Sequence, residues 1–542
     1  MTAPPPTVRE QLLARRDDAG NGLLGDGVRL TWAETVATAA RWSSALRALL
    51  AELAPGRPPH VGVLLENRPE YLHLLAAAGL GGVVAVGLNP TRRGAALAGD
   101  CARADVALVL TDAAHAHLLP DGALPEGAVV DIDGEEWAAL VAAASPEPAD
   151  LAVGPDDLMM LIFTSGTSGD PKAVRITQAK VAAPGVLLGE RFGLGSDDVA
   201  YVSMPLFHSN AVMAGWAPAL AQGAGVAVAR FSASGFLPDV RRFGATYANY
   251  VGKPLSYVLT TPPHPDDADN PLRIVFGNEA DERSIAAFGE RFGCTVVDSY
   301  SSTENAVIVR REPGMPAGAL GRPAPGVRVL DPETLAETPD AVFDDHGRLL
   351  NAEEATGELV NTEGAGAFAG YYNDPDAEAD RMRHGMYWSG DLAYRDAEGW
   401  IYFAGRTADW LRVDGENLAA APIERVLLRH PAITSAAVYA VPDPGDAASG
   451  APGIGDQVMA AIVAPDLSPA AFAGFLDDQD DLSPKARPRW VRVHRAVDEL
   501  PRTATTKIIK RDLAAAGVAG ATASGGVLWE REPRGTAYRV RP

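Results

Sequence analysis

Apolar residues along the first half of the chain follow two alternating periods. From Trp32 to Leu53 they recur every three or four residues, directly behind Thr31-Trp32-Ala33-Glu34. In such a Thr-x-x-Glu sequence the hydroxyl and the carboxylate each accept from a backbone N–H that a helix start leaves unpaired, so a helix is expected through Leu53. Short runs too apolar for a surface helix predict strands over His60–Leu65, Val83–Leu88 and Val106–Thr111, with a helix over Pro69–Leu80 between the first two. A second alternating stretch opens with Leu158-Met159-Met160-Leu161-Ile162-Phe163. It continues with strands at Val199–Met204, Thr246–Val251, Arg273–Phe276 and Thr295–Tyr300.

Strands alternating with helices at this spacing imply α/β layers with parallel pairing. The Pro- and Gly-rich stretch Pro313–Val327 marks a change to shorter β elements. Beyond Arg406 come a hairpin, a helix over Pro422–Leu428, a strand over Ser435–Val441 and a last helix over Ala470–Leu476. The expected fold is α/β: a large multi-layer N-terminal domain, 1–406, with parallel-rich sheets and a small β-subdomain, then a small mobile α+β domain, 407–515. The Ala- and Gly-rich residues 516–542 are expected to be an irregular tail.

Composition narrows the partners. Seventy acidic against 47 basic residues give a net charge of −23, which repels nucleic acid and anionic lipid. An anionic nucleotide can still be held where backbone N–H groups, one or two cations and Mg²⁺ oppose the global field. Cys101 and Cys294 are the only cysteines and have no metal-like spacing. No apolar run reaches the ~18 residues that span a bilayer, and the start of the chain lacks a signal pattern. A soluble cytoplasmic protein, monomeric or homodimeric, is expected.

The sharpest local pattern is Thr164-Ser165-Gly166-Thr167-Ser168-Gly169-Asp170-Pro171-Lys172, placed after an apolar strand. Its glycines permit close backbone approach, and its hydroxyls and lysine suit a polyphosphate. A solvated linker is the plain alternative. It is not a Walker A loop, because Pro171 precedes the lysine and disfavours helix at Asp170. Tyr300-Ser301-Ser302-Thr303-Glu304 would place a hydroxyl and a carboxylate at another strand exit, suited to phosphate and Mg²⁺, or simply to a surface turn. Asp391, after the glycine turn in Trp388-Ser389-Gly390, would accept from ribose hydroxyls or cap a hairpin. Arg406 lies at the expected domain border, where it would bridge nucleotide oxygens. Lys507 lies in a polar, turn-rich stretch and draws no attention by itself.

In this order the segments resemble the adenylate-forming superfamily of acyl-CoA synthetases, peptide-synthetase adenylation domains and luciferases, over about Thr31 to Leu513. Gly405–Asn417 and Thr503–Leu513 are most similar to actinobacterial fatty-acyl-CoA ligases and to fatty-acid transport and very-long-chain acyl-CoA synthetase types. The resemblance implies ATP, Mg²⁺ and CoA as cofactors and an AMP-forming ligation. It assigns Thr164, Ser165, Gly166, Thr167, Ser168, Gly169 and Lys172 to the β- and γ-phosphates, Thr303 to the α-phosphate and Glu304 to Mg²⁺. Asp391 and Arg406 go to the ribose side, Gly277-Asn278-Glu279 and Tyr300 to adenine, and His208 to a gate beside the acyl group, with a hydrogen-bonded structural histidine as the plain alternative. Lys507 would reach the acyl oxygen and α-phosphate, Ala408 would be the hinge, and Gly415 and Glu416 would border a thiol tunnel.

The same resemblance leaves three readings open. One is acid activation followed by transfer to CoA. Another is a diazotase, found among actinobacterial relatives, that activates nitrite for reaction with an aryl amine. The third, a non-catalytic nucleotide-binding relative, sits poorly with Glu304, Asp391, Arg406 and Lys507 all being present. Five positions depart from the common pattern: Ser301 and Asn305 replace the glycines of Tyr-Gly-x-Thr-Glu-Gly, where side chains are expected to narrow the acyl pocket, Ala173 follows the loop lysine in place of glycine, Gln178 stands where histidine is frequent, and Ala408 is at the hinge.

Overall fold

The computed structural model describes residues 6–541, apart from 165–170, 281, 301, 313, 345–348, 407–409, 414–415, 443–455, 480–481, 483, 503–507, 519–525 and 533–534. At 353, 410, 412, 416, 417 and 419 it describes the backbone only. The chain forms two compact units, residues 1–305 with 367–380, and residues 306–366 with 381–542.

The first unit holds two sheets. One runs Val129–Asp131, Leu108–Thr111, His60–Leu64, Val84–Gly87, Leu158–Thr164, Lys172–Thr177. It is parallel until its final antiparallel pair. Every residue of its three strands Leu108–Thr111, His60–Leu64 and Val84–Gly87 is buried, as unbroken apolar runs require of a sheet covered on both faces. The other runs Thr295–Asp298, Ile274–Asn278, Tyr247–Val251, Val199–Val202, Gly225–Val228, Asn21–Gly25, Val28–Thr31, with an antiparallel pair at the far edge. The helix Trp32–Leu53 starts at the expected capping box: Glu34 N donates to Thr31 Oγ1 at 3.1 Å, and Thr31 N donates to Glu34 at 2.8 Å.

In the second unit the Pro/Gly-rich stretch does give way to short antiparallel strands. They are ordered Val309–Arg310, Ala319–Pro323, Ile401–Arg406, Met386–Arg395, Gly357–Asn361, Val327–Leu330. The boundary expected at 406/407 falls inside this unit. A hairpin of Trp410–Val413 and Glu416–Ala419 follows, then a sheet of Ser435–Pro442, Asp456–Val463, Trp490–His494, Val527–Arg531 and Tyr538–Val540. Helices Ala420–Leu427 and Pro469–Asp477 bring Ile423, Leu427 and Phe472 to the core beside this sheet.

The terminal residues correct one expectation. Instead of an irregular tail, Val527–Arg531 and Tyr538–Val540 complete the last sheet. Trp529 and Tyr538 enter the core, with ring centroids 5.7 and 5.0 Å from that of Phe472, and the Tyr538 hydroxyl donates to Pro488 O at 2.6 Å. The Ala/Gly-rich residues ahead of these strands dominate the composition, while a five-residue strand with one large inward side chain leaves little periodic signal.

Trp529→Ala should therefore cost about 3–5 kcal/mol through the cavity it leaves, while Val527→Ala at an exposed position should stay within about 0.5 kcal/mol. Denaturant melts of the two variants check this; indistinguishable curves would contradict a packed terminus.

Candidate active site

In the first unit the apolar strand Leu158–Thr164 is joined to Lys172–Thr177 by a hairpin, and Thr164 pairs opposite Lys172. Ser165 to Asp170, with the predicted ligands Ser165, Gly166, Thr167, Ser168 and Gly169, lie outside the described residues. Lys172 begins a strand, as the proline before it implies, and not a P-loop helix. It is buried, with Nζ 5.4 Å from the ring centroid of Tyr371. Tyr371 is in place because its segment runs along this strand: Arg175 N donates to Gly370 O at 3.1 Å and Tyr372 N to Ala173 O at 2.8 Å.

The turn after Thr295–Asp298 brings the next predicted residues to the same neighbourhood. Glu304 is only 8% exposed. Its Oε1 accepts from the Tyr371 hydroxyl at 2.9 Å, and its main-chain oxygen accepts from Lys180 Nζ at 2.9 Å. Thr303 Oγ1 lies 3.0 Å from Ser209 Oγ. Burial pushes the Lys180 ammonium down to about 8, with the nearby Glu304 charge opposing the shift.

This donor set fits magnesium. Among the described residues the Glu304 carboxylate has one hydrogen bond, to Oε1, and no three His, Cys, Asp or Glu side chains gather as a cage. Mg²⁺ keeps several waters and takes one or two carboxylates plus phosphate oxygens, so one well-held carboxylate is the expected protein share.

The other predicted residues of this unit lie at nearby strand ends. Gly277 leaves the backbone bare because a Cβ there would lie 2.1 Å from Tyr250 O. Asn278 Oδ1 accepts from Asn210 Nδ2 at 3.1 Å, and Glu279 turns the chain at φ +70°. Asp298 braces this corner, accepting from the Tyr250 hydroxyl at 2.6 Å and from Ala280 N at 3.1 Å. Tyr300 follows two residues later. His208 leaves the strand Val199–Val202 through Pro205-Leu206-Phe207, its ring 4.4 Å from that of Phe207. Asn67 fixes that exit, accepting from Leu206 N at 2.9 Å and donating to Met204 O at 2.7 Å.

In the second unit Asp391 and Arg406 are paired across neighbouring strands, with Arg406 Nε 3.5 Å from Asp391 Oδ1. Asp391 is buried and the arginine half exposed. The turn before the aspartate is pinned: Gly390 N donates to the buried Glu358 carboxylate at 2.7 Å, Ser389 Oγ to Leu359 O at 2.6 Å, and Asp391 N to Ser389 Oγ at 3.0 Å. Lys507, Ala408 and Gly415 lie outside the described residues, and Glu416 is described by its backbone alone.

Residues 12–372 match the family of AMP-binding enzymes. The chain belongs to that family. Over 521 residues it is 52% identical to a medium/long-chain-fatty-acid–CoA ligase, FadD17, of Mycobacterium marinum, covering 95% of this chain and 97% of that one. A steroid-22-oyl-CoA synthetase of Rhodococcus jostii is 47% identical over 516 residues, covering 94% and 90%. The fold is shared with ATP-bound MatB from Rhodopseudomonas palustris, at a TM-score of 0.77, 22% identity and coverage of 94% and 98%. An anthranilate CoA ligase in complex with anthranoyl-AMP gives 0.77, 21%, 96% and 98%. The chain is an AMP-forming, acid-activating ligase. Nothing in these similarities supports the nitrite-activating alternative.

Within this family frame the departures acquire physical reasons. Asn305 stands at a glycine position with φ +53°, and asparagine is among the few side chains that tolerate that region. Its N–H donates to Ser302 O and Oγ at 3.2 and 3.3 Å, so Ser302 stiffens the same turn. Gln178 is buried, donating to Gly79 O at 3.1 Å and accepting from Arg9 N at 3.2 Å, which ties three helices. Ala173 is a buried strand residue facing Phe163 across the hairpin. Lys180, Ser209, Tyr371 and Glu358 belong to no short motif; the only local signal is that Lys180 is the one charged side chain between Gln178 and Gly189.

Asn305→Gly should leave stability within about 0.5 kcal/mol, whereas Asn305→Val should lose about 1–3 kcal/mol from strain at positive φ. Urea denaturation compares them; equal curves would contradict a left-handed turn beside Glu304.

Proposed function

We propose that the chain condenses a medium- or long-chain fatty acid with CoA through an acyl-AMP intermediate. The observation that carries the substrate class is the 52% identity, across nearly the whole of both chains, with ligases named for those acids. A bulkier acid, a steroid side-chain carboxylate, is the second reading, favoured by the 47% identity with the steroid-22-oyl-CoA synthetase.

The chemistry needs no general base, because a carboxylate is already a nucleophile. Its oxygen forms a bond to the α-phosphorus while the bond from phosphorus to pyrophosphate breaks. The CoA sulfur then bonds to the acyl carbon and AMP leaves with the acid's oxygen. Thr303 would hold the α-phosphate, and Lys172 with the loop Thr164–Gly169 the β- and γ-phosphates. Glu304 would hold Mg²⁺, which when bound offsets charge on the departing pyrophosphate. Asp391 and Arg406 would take the ribose, Gly277-Asn278-Glu279 and Tyr300 the adenine, and His208 the acyl entrance. Lys507 would stabilise charge building between carboxylate and phosphorus. A domain from 407 to 515 turning at Ala408 would then bring Gly415 and Glu416 to the thiol path.

We place this activity in the cytoplasm, in a monomer or homodimer. Two cysteines that form no disulfide support the compartment, and among the described residues no helix is long and apolar enough to cross a membrane.

The test is CoA-dependent AMP release across a panel of short, medium and long fatty acids, an aryl acid and a steroid acid. Highest kcat/KM is expected for medium or long chains, and a preference for the aryl or shortest acids would overturn the assignment. Lys507→Ala should lower acyl-AMP formation by about 100-fold or more while ATP binding by calorimetry stays near wild type. Unchanged AMP production by that variant would remove Lys507 from the chemistry.

A further inference from the structure

Lys180 is the outstanding unassigned group. It is 5% exposed and sits in the first turn of the helix Gln178–Phe192, where Thr177 caps its N–H at 3.3 Å. A cation there faces two costs at once, loss of water and the positive end of the helix dipole. An asparagine or glutamine would avoid both and still donate a hydrogen bond. The placement is therefore expected to be offset by something that needs both the length and the charge.

What the ammonium reaches is the main-chain oxygen of Glu304, at 2.9 Å, from 124 residues away in the chain. Tyr371 holds the carboxylate of the same residue at Oε1, and Ser209 holds the hydroxyl of Thr303. The next residue, Asn305, lies at φ +53°, so this turn is held in shape by its neighbours rather than by backbone preference alone. We infer that Lys180 is a positioning residue for the magnesium-bound polyphosphate: it clamps the Glu304 main chain so that the carboxylate oxygen opposite Tyr371 faces the cation without reorganising. This rests on the reading of Glu304 as the magnesium carboxylate. Partners that orient a ligating side chain commonly govern metal affinity by about 10–100-fold.

Calorimetric titration with ATP, in Mg²⁺ and in EDTA, and with AMP tests this on wild type, Lys180→Met, Lys180→Arg and Glu304→Gln. Lys180→Met should weaken ATP binding about tenfold in Mg²⁺, while ATP binding in EDTA and AMP binding stay unchanged. Lys180→Arg, which restores a cationic donor, should recover most of the loss. A purely structural role would weaken all three titrations together, and that result overturns the inference. So does a Lys180→Met variant whose magnesium increment equals wild type. If Lys180→Met does not fold, Lys180→Gln is titrated in its place with the same two outcomes. Glu304→Gln separates the failures. If it keeps the magnesium increment, the reading of Glu304 falls; if it loses the increment and Lys180→Met does not, only the role of Lys180 falls.

Discussion

A buried carboxylate at a strand exit is costly unless hydrogen bonds and opposite charge surround it, and in the first unit that constraint organises the site. Glu304 meets it with partners from two distant segments: the helix after the strand Lys172–Thr177 supplies Lys180, and the segment at 367–380 supplies Tyr371. The chain leaves the first unit after Asn305 and returns to it at Ala367, so that the tyrosine can pair along the strand Lys172–Thr177. The same strand begins with Lys172, so that the tyrosine has a lysine by its ring and the Glu304 carboxylate on its hydroxyl. Parallel sheets make this economical, because their strand ends gather loops that are far apart in sequence.

The second unit solves a similar problem with an antiparallel sheet. Asp391 follows a glycine at φ +74°, and the turn is fixed by Glu358 on the neighbouring strand before any ligand arrives. The Asp391 carboxylate therefore stands on a backbone that is already pinned, and its cross-strand arginine keeps positive charge close by. Asp391 and Arg406 occupy directly opposed positions in the ladder, so their pairing follows from strand register.

Much of the fold was legible because periodicity and end signals are local. The Trp32–Leu53 helix announces itself through its capping box, Pro69–Leu80 through its proline start, and the parallel strands through unbroken apolar runs. The terminal strands were not legible, since a short strand with one tryptophan behind an Ala/Gly segment has no period to detect. Among the proposed site residues, Thr303, Glu304 and Lys172 in the first unit and Asp391 and Arg406 in the second could be singled out from short motifs, being polar groups placed at strand or hairpin exits. Lys180 and Tyr371 could not, because their meaning lies in contacts spanning 124 and 67 residues. Glu358 was hidden for the same reason, across 32 residues. Asn305, at one of the glycine positions, builds together with its neighbour Ser302 the turn that carries Glu304.

Attack of the acid's own oxygen on the α-phosphorus can be followed by isotope transfer without any variant. A medium- or long-chain fatty acid carrying heavy oxygen in both carboxylate positions is turned over with ATP and CoA, and the products are weighed by mass spectrometry. One heavy oxygen is expected in each AMP released and none in pyrophosphate. Unlabelled AMP, or label in a phosphate formed together with ADP, would contradict that attack.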